Sequence, residues 1–130
     1  MNLDKSDLHY FIEECNSLIK QLENGVQQLA VPADSSEAVN AFFRSMHTLK
    51  GNARIVGSTT LEELCVAIED VLEKFRQGRV TPDDRIIKLM SLSVDELKKL
   101  LNQLYSLKAA GSANPKILAA LRFVSQKGNS

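Results

Sequence analysis

Apolar residues recur at three- and four-residue steps along most of the chain, and this spacing places them on one side of an α-helix. The first such stripe runs from Leu8 to Leu29 and ends before Pro32, since the residue before a proline is biased away from helix. Three further stripes follow, separated by residues that end or begin helices. The pattern predicts four amphipathic helices of about 18 to 25 residues and no strand.

Stop and start signals set the limits of these helices. Gly57 and Gly78 are natural positions for the left-handed residue that ends a helix, here the second and the third. Thr60 and Glu63 are expected to form a capping box at the start of the third helix. Thr81-Pro82-Asp83-Asp84 predicts the start of the fourth, with Thr81 as the cap, a proline in the first turn and acids at the positive end of the helix dipole.

Each predicted helix has one apolar side that must be buried against the others. With short loops between four helices of similar length, the simplest solution is an all-α, antiparallel up-down four-helix bundle. Asn114-Pro115 is a start signal for a short fifth helix that extends to Val124 and docks on the bundle. We therefore expect the bundle over residues 1–109, and a linker with a short C-terminal helix or tail over 110–130.

Composition excludes several classes of function. Sixteen basic and sixteen acidic residues cancel, so the chain lacks the basic excess of a nucleic-acid binder. No apolar run approaches the ~20 residues of a membrane span, and no signal-peptide pattern follows Met1. Cys15 and Cys65 occupy apolar helical positions, as buried free thiols do in a reducing compartment. We expect a cytoplasmic monomer that binds neither nucleic acid nor membrane and has no metal site.

His47, Lys50 and Gly51 share one strip of the second predicted helix, over about 36–56. They lie at i, i+3 and i+4, spacings that make residues neighbours on a helix surface. The apolar residues of this segment fall on another face, so His47 should be exposed beside a cation. A glycine in a helix costs about 0.5–1 kcal/mol relative to alanine. Gly51 should therefore have a compensating reason, either access to His47 or close packing of another helix.

A neutral imidazole is a nucleophile that can attack a phosphoryl group without a general base. Residues 38–61 contain three cations, Arg44, Lys50 and Arg54, and no acid. They predict a local positive surface that suits a phosphoryl dianion and an acidic, metal-binding partner, although for Arg44 and Arg54 ordinary surface charge is the favoured interpretation. The chain has no nucleotide-binding glycine-rich motif and no acidic cluster near His47. It is thus predicted to be a carrier rather than an enzyme, with no cofactor of its own and with Mg²⁺ supplied by the partner.

The chain also resembles a known family, the histidine phosphotransfer (HPt) domain, and most closely the version at the N-terminus of chemotaxis-type histidine kinases. The resemblance is strongest over 36–78 and extends over 1–107. It rests on the run Phe43-Arg44-Ser45-Met46-His47-Thr48-Leu49-Lys50-Gly51-Asn52-Ala53, followed by Gly57, Leu61, Leu64 and Glu69.

The resemblance implies a carrier that is phosphorylated on His47 by a histidine kinase catalytic domain or a receiver aspartate. It then passes the group to a response-regulator receiver domain. The resemblance also implies that Lys50 lies beside the phosphoryl group and that Gly51 leaves space for it. Many chemotaxis-type members have a second histidine where this chain has Val66. This difference favours a general phosphorelay domain over a chemotaxis one.

The receiver is predicted to dock over the second helix and part of the third, where Phe43, Arg44 and Arg54 would contact it around His47. Phe43 either exposes an aromatic edge there or belongs to the core. Glu69, on the third helix, either approaches His47 across the bundle or forms a salt bridge or a solvated surface group. The alternative function is a non-catalytic helical adaptor or scaffold that binds receivers without being phosphorylated.

Overall fold

A computed structural model of the chain describes residues 5–31, 35–106 and 113–127. These residues form five α-helices and no strand, which confirms the predicted all-α fold with its short fifth helix. The helices are α1 (Lys5–Leu29), α2 (Ser35–Ile55), α3 (Thr59–Arg76), α4 (Asp84–Tyr105) and α5 (Pro115–Lys127). None of the described helices is long and apolar enough to cross a membrane. The predicted domain boundary between 109 and 110 lies outside the described residues and stays a prediction.

Hydrogen bonds between helices show that α1 and α2 are antiparallel. Ser45 Oγ donates to Gln21 Oε1 at 3.0 Å, and farther along α2 the amide of Asn52 donates to Glu14 Oε1, farther back on α1, at 3.2 Å. The pairs α2–α3, α3–α4 and α4–α1 also pack together and close the bundle, while α5 packs on α3 and α4. Among the described helices, α2 packs on α1 and α3 alone, so its remaining surface is open to partners.

The apolar stripes of the helices meet in one core. Burial of each large aliphatic side chain contributes about 1.5–3 kcal/mol to folding. Each helix is therefore rotated about its axis so that its apolar side faces the core. The largest fully buried side chains are Leu22, Phe42, Met46, Leu49, Leu61, Leu64, Ile68, Leu72, Met90, Leu97, Leu100 and Leu101. Three of them belong to α2, and they turn the opposite side of that helix, which carries His47, outward.

Glycines end α2 and α3 as predicted, but the cap of α3 differs from the prediction. Gly57 and Gly78 have φ of +74° and +69°, the left-handed conformation that glycine adopts without steric cost. Directly after Gly57, Ser58 is extended, and its hydroxyl accepts the backbone N–H of Leu61 at 3.3 Å. The predicted capping box on Thr60 is therefore wrong, because α3 begins as soon as the glycine turn has reversed the chain.

The start of α4 is also shifted from its predicted position. Asp83 is the N-cap, and its Oδ1 accepts the backbone N–H of Ile86 at 2.9 Å. Thr81 and Pro82 precede the helix, so Thr81 is not the cap and the proline is not in the first turn. An aspartate competes well for this position because its side chain accepts the free N–H groups and its charge suits the helix dipole.

A buried carboxylate connects α5 to the bundle. Glu96 on α4 is only 7% exposed, and its Oε2 accepts the backbone N–H of Asn114, just before α5, at 2.7 Å. The same oxygen lies 3.0 Å from Lys99 Nζ. Leu118 and Leu121 bury the inner side of α5, as predicted, and the helix continues three residues beyond the predicted end at Val124.

Candidate functional site

His47 lies near the middle of α2 with its imidazole exposed. Its position follows from its neighbours, because Met46 and Leu49 are fully buried and hold this helix with His47 on the outer side. Within the described residues, no hydrogen bond or ion pair engages the ring. The exposed location was predicted from the helical spacing and is confirmed. A partner can therefore reach the imidazole without any rearrangement of the fold.

The space next to His47 is kept open at Gly51. A Cβ atom built at Gly51 would have no described atom within 4 Å outside its own helix backbone. Gly25 on α1 is the opposite case, since a Cβ there would lie 2.8 Å from Cδ2 of the buried Phe42. Close helix packing explains Gly25 but not Gly51. Of the two reasons considered for Gly51, access to His47 is the one that the geometry supports.

Lys50 and Glu69 form a largely buried ion pair between α2 and α3. Lys50 Nζ donates to Glu69 Oε2 at 3.0 Å, and the two side chains are 15% and 11% exposed. The other carboxylate oxygen, Oε1, is buried and has no hydrogen-bond partner among the described residues. Of the alternatives for Glu69, the structure shows the salt bridge and no hydrogen bond to His47. Desolvation makes removal of either partner costly, because the remaining charge would stay buried.

The predicted positive surface is weaker than the sequence of α2 suggests. Arg54 pairs with Glu62 on α3, and this hydrogen bond raises the pKa of the already strongly basic guanidinium. Lys50 pairs with Glu69, as described above. Arg44 is exposed and has no ion pair within the described residues. Although residues 38–61 contain no acid, α3 supplies two carboxylates across the interface, so Arg44 contributes most of the net positive charge.

Phe43 was predicted either to expose an aromatic edge or to belong to the core, and the structure shows an intermediate position. Its ring is half-buried and packs against the core from the edge, so part of it faces outward. The guanidinium carbon of Arg76, near the end of α3, lies 4.8 Å from the ring centroid in a cation–π contact. No pattern in the sequence singles out Arg76. Antiparallel pairing of α2 and α3 brings it beside Phe43, and a single helical pattern contains no signal for such a pairing.

The sequence indicates no role for Asn52, yet its side chain joins α2 to α1. Its amide donates to Glu14 Oε1 at 3.2 Å and lies 4.0 Å from the thiol sulfur of Cys15. Burial raises the pKa of Cys15 to about 12, and Cys65 is likewise a buried free thiol. These contacts hold α2 to α1, as the Lys50–Glu69 pair holds it to α3. In the described part of the chain, no group of three His, Cys, Asp or Glu could hold a metal ion.

Residues 8–107 match the sequence model of the Hpt domain. The chain belongs to the Hpt domain family. Over 94 residues this Hpt domain is 30% identical to the chemotaxis protein CheA of Borreliella burgdorferi, a match that covers 72% of this chain and 11% of that protein. Over 92 residues it is 34% identical to CheA of Rhizobium meliloti, covering 71% of this chain and 12% of that protein. The matched segment therefore spans only about one ninth of the length of these relatives.

A solved structure has the same fold as this Hpt domain. It is the phosphorylated P1 domain of CheA3 in complex with CheY6 from R. sphaeroides, with a TM-score of 0.85 and 21% sequence identity. The match covers 95% of this chain and 98% of that one. The preference for a general phosphorelay domain, drawn from Val66, gains no support, because the relatives named here are chemotaxis proteins.

Proposed function

We propose that this Hpt domain carries a phosphoryl group on His47 between a donor and a response-regulator receiver domain. The donor is a histidine kinase catalytic domain or a phosphorylated receiver aspartate. The proposal rests above all on the exposed imidazole of His47 in the middle of α2, with open space one turn farther on at Gly51. A side chain with a structural role would be held by neighbours, whereas a carrier must be reached by two large partners in turn.

The proposed reaction is a reversible displacement at phosphorus. A ring nitrogen of neutral His47 attacks the donor's phosphorus, the N–P bond forms, and the P–O bond to ADP or to the aspartate carboxylate breaks. The ring releases one proton and becomes a phosphoramidate. In the second half, the carboxylate of the receiver attacks the same phosphorus, the ring takes up one proton, the N–P bond breaks and neutral imidazole leaves. Mg²⁺, held by aspartates of the partner, would neutralise the charge on the phosphoryl oxygens in both halves.

Lys50 is the residue of this chain that we propose to contact the phosphoryl group. An ammonium has three N–H donors, and the contact with Glu69 Oε2 at 3.0 Å uses one of them. The remaining donors are free to bind phosphoryl oxygens one turn away at His47 without loss of the ion pair. In this proposal Glu69 is a positioning residue, because it restricts the long Lys50 side chain to one place.

The partner surface is proposed to lie around His47 on α2, with a contribution from α3. Arg44 would attract the acidic pocket of a receiver, and the outward edge of Phe43 would contact an apolar patch on it. Arg54 is placed at the far end of this surface, where its pairing with Glu62 reduces its attraction for acidic groups. The similar P1 domain of CheA3 was solved phosphorylated and in complex with CheY6, which supports a receiver as the partner.

The chain's own chemistry is proposed to end with this carrier role. Hpt domains are phosphoryl carriers, and we propose that this one has no nucleotide site and acts in the cytoplasm as a monomer. Any kinase activity would then belong to another domain or another protein. The matched relatives are much longer than this chain, so the kinase and the Hpt domain can share one polypeptide in them.

Phosphoryl uptake by histidine variants tests the proposal. Wild type, incubated with radiolabelled ATP and a cognate kinase domain, or with a phosphorylated receiver and Mg²⁺, should take up acid-labile label. His47→Gln should take up none. His9→Gln is the matched control, because His9 is an exposed helical histidine on α1, 3.0 Å from Glu13, and this variant should label normally.

The test also separates the carrier from the adaptor. Label retained in His47→Gln would refute His47 as the site. An adaptor would bind the receiver with unchanged affinity after His47→Ala and would never take up label in wild type. For a carrier, wild type takes up label and releases it to the receiver, whatever the effect of His47→Ala on binding.

A further inference from the structure

A concave surface lies on another part of the bundle, away from His47. It is an open groove of about 680 Å³ where the loop between α3 and α4, the first turns of α4 and one side of α5 meet. We call it the α4–α5 groove. Its larger apolar lining residues are Val80, Ile86, Leu89, Phe123 and Val124. Four of these are half-buried against the core, whereas Phe123 is 68% exposed, an unusually large exposure for phenylalanine.

The charges around the α4–α5 groove are mostly positive. Arg79, Arg85 and Lys127 line it, against one acid, Asp83. Asp83 also accepts the N–H of Ile86 as the cap of α4, and Arg79 and Lys127 likewise take part in interactions within the chain. Since the whole chain has a formal net charge of zero, this excess of cations is local. A groove with an apolar floor and a basic rim is complementary to a partner with apolar side chains and acidic flanks.

We propose that the α4–α5 groove binds an acidic amphipathic peptide segment of a partner. The volume lies in the usual range of pockets, roughly 300–1,000 Å³, and accommodates a few side chains rather than a whole domain face. The concave shape favours a peptide over a membrane, because interfacial binding needs several apolar side chains that project from one surface. Here Phe123 alone projects, and the other apolar groups form the floor.

The location of the groove allows it to be occupied while His47 is in use. Among the described helices, α2 has α1 and α3 as its neighbours, whereas the groove is formed by α4, α5 and the loop before α4. A segment bound in the groove therefore leaves the His47 surface uncovered. Attachment there would raise the effective concentration of a partner that must find His47 repeatedly. The groove does not depend on the proposed phosphoryl chemistry, since none of its lining residues belongs to that site.

A titration of the isotope-labelled full chain tests the groove. The probe is a peptide with Leu and Glu at helical spacing, and its control carries Lys in place of each Glu. The acidic peptide at about 1 mM should shift amide resonances at the start of α4 and along α5, and the basic peptide should not. Phe123→Ser and Arg85→Glu should each weaken binding about tenfold. Both residues are exposed, so both variants should melt like wild type.

Matched controls and rival outcomes make the test decisive. Tyr10→Ser removes an aromatic ring of similar exposure, 70%, from α1, and Lys20→Glu reverses an exposed charge there. Both should bind the peptide normally, and label uptake by His47 should be unchanged in all four variants. The proposal is overturned if the acidic peptide shifts no groove resonance or if both peptides bind alike. It is also overturned if Phe123→Ser abolishes binding to phosphatidylglycerol vesicles or self-association while the peptide does not bind.

Discussion

Gly51→Gln separates access to His47 from the stability of α2. Because a Cβ at Gly51 would meet no described atom within 4 Å, the new side chain extends into open space. Glutamine is a better helix former than glycine by about 0.5 kcal/mol, so the free energy of unfolding should rise by about that amount. For a chain of this length, the melting temperature should increase by about 1–3 °C.

Phosphoryl transfer in the same variant should change in the opposite direction. The glutamine side chain lies one helical turn from His47, in the space that the phosphoryl group and the receiver must enter. Since a misplacement of about 1 Å can cost a factor of about 100 in rate, we expect transfer to the receiver to slow by about that factor. A single-turnover assay that follows loss of label from His47 to the receiver measures the rate, and thermal unfolding measures stability.

Gly25→Ala is the matched control, because it also replaces a helical glycine. Its Cβ would lie 2.8 Å from Cδ2 of Phe42, so this ring, which is only 2% exposed, would have to shift. Overpacking costs about 1–3 kcal/mol and outweighs a helix-propensity gain of about 1 kcal/mol. Gly25→Ala should therefore be less stable than wild type yet transfer normally. A Gly51→Gln variant that transfers at the wild-type rate, or that melts below wild type, would refute the reasoning.

Three further predictions concern residues that hold α2 and α3 in place. Lys50→Ala should slow transfer about tenfold and lower stability by about 1–3 kcal/mol, since it leaves the carboxylate of Glu69 buried without its partner. Adding Glu69→Gln should restore stability but not transfer; recovery of both would contradict the proposed role of Lys50. Burial raises the pKa of Cys15 to about 12, so its neutral thiol should resist iodoacetamide at pH 8 until the chain is unfolded. As the pH rises from about 9 towards 12, the thiol ionises in the unfolded chain but not in the folded one, so the free energy of unfolding should decline. Ser58→Ala should lower the free energy of unfolding by about 1 kcal/mol, because it removes the cap of α3. An equal loss of stability in Thr60→Ala would instead favour the capping box predicted from the sequence.

Local information determined the helices and the positive-φ stops. The position of Gly57 follows from the end of one apolar stripe, and its left-handed φ is a property of glycine itself. The shifts at the caps of α3 and α4 have a local cause as well. Several neighbouring polar residues could cap each helix. Ser58 and Asp83 are the N-caps because the helix begins directly after them, at the point where the preceding turn ends.

The exposed strip of α2 could also be predicted from the sequence. His47, Lys50 and Gly51 are related by helical spacing, and the apolar residues of the same helix fix which side is buried. The sequence could not distinguish Gly51 from Gly25, since both are glycines inside helices. That difference depends on Phe42, which belongs to another helix than Gly25.

Tertiary structure alone decided the electrostatics of the site. Lys50 and Glu69 are 19 residues apart, and Arg76 and Phe43 belong to different helices. The sequence of α2 suggests an uncompensated positive surface, yet α3 supplies carboxylates to two of its three cations. Periodicity specifies which side of each helix is buried, but the axial register between two helices depends on how their side chains interlock. That register determines which exposed charges face each other, and no pattern within one helix contains it.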